Sequence, residues 1–288
     1  MVTYRQAVHR MRSMLGALLA TALVAGACGG SGGGPFPEGW FPVQAASDVG
    51  IGHYRVLVGI VGPDNSRLGS EGDPVTIEVA PEQDSDATQR AEGIYTSIVP
   101  GVGLYRAEFD FDVVGTWTVT VIPSSGPSGV TALTVREQTQ APALGSTAPS
   151  VASPTLDDLP IDELTTDPEP LDRLYEQSID EALASGRKSV ITFSTPAFCR
   201  TEACGPLLEV VKGVAPQHPD VNFVHVEVYT GFDDAAFSPD DPSFLAPSVV
   251  AFGLPSEPWI FVTDEQGTII GRFEGVVASE ELTALLAP

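Results

Sequence analysis

Basic residues are scarce in this chain. Against 38 Asp and Glu, the 288 residues carry 14 Lys and Arg, a formal charge of −24, and a surface of that sign repels nucleic acid and anionic lipid headgroups. No nucleic-acid partner is therefore expected. Cysteine is scarcer still, so any sulfur chemistry rests on Cys28, Cys199 and Cys204. Histidine is equally thin: His53 stands alone at the start of a predicted strand, and no catalytic cluster accompanies it. Long apolar runs are missing too, since the stretch from Met14 to Val24 is too short and too weakly flanked for a stable membrane span. What remains is an apolar content ample for the cores of one large or two ordinary domains.

The opening "MVTYRQAVHRMRSMLGALLATALVAGAC" places Arg5, Arg10 and Arg12 before the apolar run and small residues before a cysteine, the pattern of a secretory signal. Export follows. Ala25-Gly26-Ala27-Cys28 resembles the lipobox of bacterial lipoproteins, which implies cleavage after residue 27 and a lipid on Cys28; an ordinary cleavage site beside a cysteine is the alternative. "GGSGGG" follows directly, and Gly/Ser sequence is a flexible tether. Residues 1–27 thus read as signal and 28–40 as tether, in an extracytoplasmic protein of the cell envelope held at the bacterial membrane by its lipid. Without the three signal arginines, 11 basic residues face 38 acidic ones, a charge of −27 that reads as solubility or salt tolerance. With Cys28 acylated, Cys199 and Cys204 remain, and in an oxidising compartment a close pair rests as a disulfide unless something reduces it.

Residues 41–136 have an all-β pattern. "GLYRAEFDF" sets Tyr105, Ala107 and Phe109 against Arg106, Glu108 and Asp110, and "GTWTVTV" alternates Trp117, Val119 and Val121 with threonines. With "HYRVLVGIV", "VTIEVA", "GIYTSIV" and "VTALTV" this makes six or seven short strands, enough for a β-sandwich. "GLYRAEFDFDVVGTWTVTV" looks like the last hairpin of small immunoglobulin-like domains of exported bacterial proteins, some linked to copper handling. That resemblance implies a fold and no ligand residues.

Residues 137–170, rich in proline, small polar and acidic residues, read as an inter-domain linker kept extended by proline, although "LDDLPIDEL" could lie against a domain. Residues 171–288 change character. "SIDEALASG" carries a capping box, Ser178 with Glu181, and a helix stop at Gly186; "KSVITF" is a buried strand; "PLLEVVKGVA" is an amphipathic helix. "VNFVHVEVY" is a further strand, "PWIFVTDEQGTIIGRFEG" a hairpin turning at Glu265-Gln266-Gly267, and "SEELTALLA" a last helix capped by Ser279. Helix, strand, helix, strand, strand, strand, helix, with cysteines between the first strand and second helix, resembles the thioredoxin fold. "TPAFCRTEACGP", "FVHVEVY" and "LPSEPWIFV" together look like bacterial lipoproteins with a thioredoxin domain. The fold class expected is thus multi-domain, an N-terminal all-β immunoglobulin-like sandwich followed by a C-terminal α/β thioredoxin-like fold.

In such a site a thiolate attacks a disulfide, and the free N–H groups of a helix start favour the thiolate. Cys204, followed by Gly205 and Pro206, sits at that start, and Pro206 suits the first turn. On one continuous helix, residues five apart are separated by about 7.5 Å of rise, too far for a disulfide, so a Cys199–Cys204 bond needs a bend across "RTEA". The order of attack stays open: a helix beginning at Thr201 would leave Cys199 as the exposed nucleophile. The resemblance makes Pro258 a cis-proline, with Pro255 as competitor, which would present Glu257 and its backbone to an extended substrate segment. A carboxylate at Glu257 opposes sulfur ionisation. Thr192 stands where thioredoxins carry a buried aspartate, so that assistance to proton transfer is missing.

Three readings follow. The first is a membrane-anchored protein exchanging thiols and disulfides with exported partners through Cys199 and Cys204, with no cofactor. The second is a non-enzymatic binding or assembly lipoprotein whose Cys199–Cys204 bond pins a loop. The third, drawn from copper-delivering thioredoxin-fold proteins of oxidase assembly, is Cu(I) delivery through Cys199, Cys204 and His225, since soft thiolates favour that ion. A satisfied strand histidine is the plainer account of His225, and His218 follows a predicted helix.

Overall fold

The computed structural model describes residues 34–287; the expected signal, the first part of the tether and Cys28 lie outside the described residues. The described residues belong to one compact unit. No helix among the described residues is long and apolar enough to cross a membrane.

The first half of the unit is built from β1 (Phe41–Gln44), β2 (Val49–Gly50), β3 (Gly52–Val61), β4 (Arg67–Leu68), β5 (Val75–Pro81), β6 (Gln89–Val99), β7 (Val102–Phe111), β8 (Gly115–Pro123) and β9 (Gly129–Arg136). They hydrogen-bond in the order β1-β3-β7-β6-β5-β8-β9-β2, with β4 paired to β3. Alternation drives the packing: Val75, Ile77 and Val79 of β5, Tyr105, Phe109 and Phe111 of β7, and Trp117, Val119 and Val121 of β8 all point into one core. Burying each such side chain is worth roughly 1.5–3 kcal/mol. The curl is made within β6, which pairs with β5 through Gln89–Gly93 and with β7 from Ile94 onward. A Cβ at Gly93 would come within 2.5 Å of Val75 Cγ2, so glycine is what lets the sheet bend there. The two ends then approach: a Cβ on Gly129 of β9 would lie 2.7 Å from the Trp40 ring, just before β1.

The second half holds α1 (Ile161–Leu164), α2 (Ile179–Ala184), β10 (Ser189–Ser194), α3 (Cys204–Val214), β11 (Asn222–Glu227), α4 (Pro247–Ala251), β12 (Trp259–Thr263), β13 (Ile269–Glu274) and α5 (Ser279–Leu286). The sheet order is β11-β10-β12-β13, with β10 and β11 parallel and the other pairs antiparallel. Ser178 and Glu181 form the capping box of α2.

The expected fold class is corrected. The chain is mostly β, 35% strand against 17% helix, with one large curled nine-stranded sheet and a four-stranded sheet, and five short helices among the described residues. It is not an immunoglobulin-like sandwich followed by an α/β thioredoxin-like fold. The physical reasons lie in two places. Strand β6 runs unbroken through Gly93, so what reads as two facing sheets is one continuous sheet. Around the second sheet, helices of four to eleven residues cannot form covering layers by themselves. Chain outside the α-helices shares the work: Ala141, Ala148 and Phe252 cover one face beside α2, while Leu174 and Tyr175, in a 3-10 turn, join α3 and α5 on the other.

Buried charge joins the two sheets. Asp48, fully buried before β2, accepts from Arg272 at 2.6 Å and from the N–H groups of Gln140 and Ala141 at 2.9 Å, with Arg136 at 3.6 Å. Glu281, in the first turn of α5, lies 3.0 Å from Arg106 and 3.3 Å from Arg55. Glu274 at the end of β13 accepts from the Ser47 N–H at 2.8 Å and the Ser256 hydroxyl at 2.7 Å. Burial pulls the Arg55 guanidinium down to about 10, against the pull of Glu281.

Candidate functional site

Strand β10 ends at Ser194 and delivers the chain into a loop, Thr195 to Ala203, that precedes α3. The loop doubles back through Glu202, whose φ of 61° lies in the left-handed region. That reversal supplies the bend that the cysteine spacing demands: the Cα atoms of Cys199 and Cys204 are 5.9 Å apart and their sulfurs are at disulfide distance.

The two sulfurs are unlike. Cys204, the first residue of α3, is completely buried, whereas Cys199 is half-exposed on the loop. The Cys204 N–H points at Cys199 Sγ, 3.2 Å away. The unpaired N–H at the helix start is therefore aimed at the outer sulfur, where it stabilises a thiolate. Thr201 Oγ1 sits 3.4 Å from the same sulfur and donates to the Glu257 carbonyl at 3.4 Å. Pro206 falls in the first turn of α3, where an N–H would have had no partner.

The Glu257–Pro258 peptide is cis and leads straight into β12; Pro255 is not at a cis bond. Burial raises the Glu257 carboxyl above its ordinary pKa, partly offset by Arg200, and this lessens the anionic opposition expected of that residue. Arg200 is also ion-paired with Asp240. Phe198, beside Cys199, packs into an aromatic group, tilted against Phe237 at 4.7 Å and edge-on to Tyr229 at 6.2 Å.

A cleft of about 450 Å³ borders the loop. One wall is Thr201, Ser256 and Glu257; the other is Val43, Leu57 and Leu104 of the curled sheet. A smaller cavity of about 280 Å³ near His53 and Arg272 follows the buried ion pairs of the junction.

His225 is not beside the cysteines in any hydrogen bond. It is buried in β11 with Nδ1 2.8 Å from the Tyr175 hydroxyl and Nε2 2.7 Å from the Ser194 hydroxyl, and burial pulls its pKa down to about 4, so both ring nitrogens serve a neutral internal network. Among the described residues no group of three His, Cys, Asp or Glu side chains converges as a metal site. His53 is exposed on β3, with Nδ1 2.8 Å from Asp110 and Nε2 3.3 Å from Glu108. Thr192 is buried in β10 with its hydroxyl unpartnered. Cys28 lies outside the described residues.

One acid escaped the sequence reading. Glu227, the last residue of β11, pairs in register with Ser194 at the mouth of the loop and is buried. Its signal was the polar pair His225 and Glu227 on one face of an otherwise apolar strand, "NFVHVE". Compared with known proteins, the chain matches no family model and no curated sequence.

Proposed function

We propose that this is an exported, lipid-anchored thiol–disulfide exchange protein in which Cys199 meets the partner and Cys204 closes or opens the internal bond. The observation that carries the reading is the inequality of the two sulfurs: one half-exposed and facing a helix N–H, the other sealed at that helix's first residue. The arginine-led apolar segment ending at Cys28 supports the exported and anchored setting.

The partner is an exported protein carrying two thiols or a disulfide. When the pair is oxidised, a partner thiolate attacks Cys199 Sγ; the Cys199–Cys204 bond breaks, a mixed disulfide forms, and Cys204 leaves as a thiolate that takes up the proton given up by the partner's second thiol. The partner's second thiolate then attacks the partner sulfur of the mixed disulfide. Cys199 leaves as a thiolate received by the Cys204 N–H, two electrons have passed to the protein, and the partner holds the new disulfide. The same steps in reverse reduce a partner disulfide.

Two measurements test this. Cys204→Ser leaves the outer sulfur without its resolving partner and should accumulate mixed disulfides in cells, whereas Cys199→Ser should accumulate none. A redox titration should place the pair above about −300 mV; a lower potential marks a structural staple and overturns the proposal.

A further inference from the structure

The buried acid beneath the cysteine loop has no part in the exchange steps above. Glu227 Oε2 accepts from both the N–H and the hydroxyl of Thr166, each at 2.8 Å. The Thr166 hydroxyl oxygen in turn accepts the N–H of Ala197 at 3.0 Å, two residues ahead of Cys199. One carboxyl thus ties together β11, the extended segment after α1 and the loop. Its other oxygen, Oε1, is buried without a hydrogen-bond partner, and so is the Thr195 hydroxyl at the start of the loop. That hydroxyl is near enough to favour the carboxylate while staying outside bonding geometry.

A hydroxyl has a single proton to give. While Glu227 is an anion, Thr166 donates to it and keeps a lone pair for Ala197; once Glu227 is protonated, Thr166 loses its charged acceptor and its hold on the loop weakens. Desolvation pushes the Glu227 carboxyl up to about 7, with Thr195 and Thr166 opposing. Its neighbours keep their charge states through that range. Lys212 of α3 stays a cation between Asp167 at 2.8 Å and Glu209 at 2.5 Å, and His225 stays neutral between Tyr175 and Ser194. Tyr229 is held neutral by burial, and Glu163 and Asp233 line the small cavity of about 100 Å³ that Glu227 borders.

We propose that Glu227 is a positioning residue: as a carboxylate it fixes, through Thr166, the loop that presents Cys199, and as an acid it releases that loop. The consequence for exchange rests on the function proposed above, whereas the loop response does not.

The test follows the Ala197 amide by NMR in the full chain as pH crosses neutrality, beside the rate of exchange with a dithiol peptide. The wild-type amide should titrate with a midpoint near 7, and the exchange rate should show the same inflection. Glu227→Gln should flatten both while the Cys199–Cys204 bond still forms. Thr166→Val keeps the acid and should flatten the amide while the Glu227 carboxyl itself still titrates, which separates relay from folding damage. A flat wild-type amide, or one that titrates unchanged in Glu227→Gln, overturns the inference even if exchange is fast. A titrating amide in a protein that exchanges at no pH overturns the exchange reading and leaves the loop response standing.

Discussion

The curled sheet and the four-stranded sheet place their polar groups differently. In the first, the core is apolar, and up to β9 the buried polar side chains are Asp48, Thr96 and, at the junction, Arg55. In the second, Thr192, Ser194, Asn222, His225, Glu227 and Thr263 are all buried within the strands themselves. An apolar core asks only for volume and pattern, whereas each buried polar group must be matched by a partner or left at a cost. Two of these, His225 and Glu227, stand beside Ser194 where the cysteine loop begins. The curled sheet thus supplies an apolar core, and the second sheet carries the buried titratable pair His225 and Glu227 within one strand.

Changing the join between the two regions should have the largest effect. Asp48→Ala leaves Arg272 buried without its acid and should cost about 3–5 kcal/mol in chemical denaturation; two separate unfolding transitions would show that the regions fold independently. Glu227 comes next. Its pKa is raised by folding, so the folded chain binds the extra proton between 4.5 and about 7, and stability falls as pH rises through that window and stays lowered above it. Glu227→Gln should therefore gain on the wild type by as much as about 3 kcal/mol above pH 7, and by little below 4.5. His225 has the opposite sign. Its pKa is depressed from 6.5 to about 4, so its contribution is present above 6.5 and lost as pH falls; His225→Gln should narrow the acid loss by about 2 kcal/mol at pH 5. The smallest effect belongs to the exposed Arg200–Asp240 pair, where Arg200→Ala should shift stability by less than about 1 kcal/mol. A larger shift there would mean the cysteine loop is held from outside rather than from beneath.

The sequence was most readable where short-range alternation decides the outcome. Tyr105, Ala107 and Phe109 face inward as their spacing requires, as do Trp117, Val119 and Val121. The turn before the cysteine helix is local as well, since the four residues between Cys199 and Cys204 must double back for the sulfurs to meet. What could not be read depends on distant chain. No local pattern shows that β6 changes partners at Gly93, because pairing with β5 and β7 is settled by the whole curl. The proline-rich run 137–170 gave no sign that Ala141 and Ala148 pack on the second sheet or that Thr166 bonds an acid 61 residues away. Glu227 lies on a strand buried along its whole length, and only the cover of both sheet faces makes it an interior acid. The helix N–H favours the outer sulfur and not Cys204, because Ala203 rather than Cys199 precedes the helix in the chain while the loop folds Cys199 back over it.

The cleft beside the cysteine loop takes its opposing walls from chain 97 to 214 residues apart, pinned by the Ser47 to Glu274 bond. The shape of the cleft and the placing of the sulfurs are therefore written in different parts of the polypeptide. Exchanging Val43, Leu57 or Leu104 for other apolar shapes would reshape the cleft without touching the sulfurs.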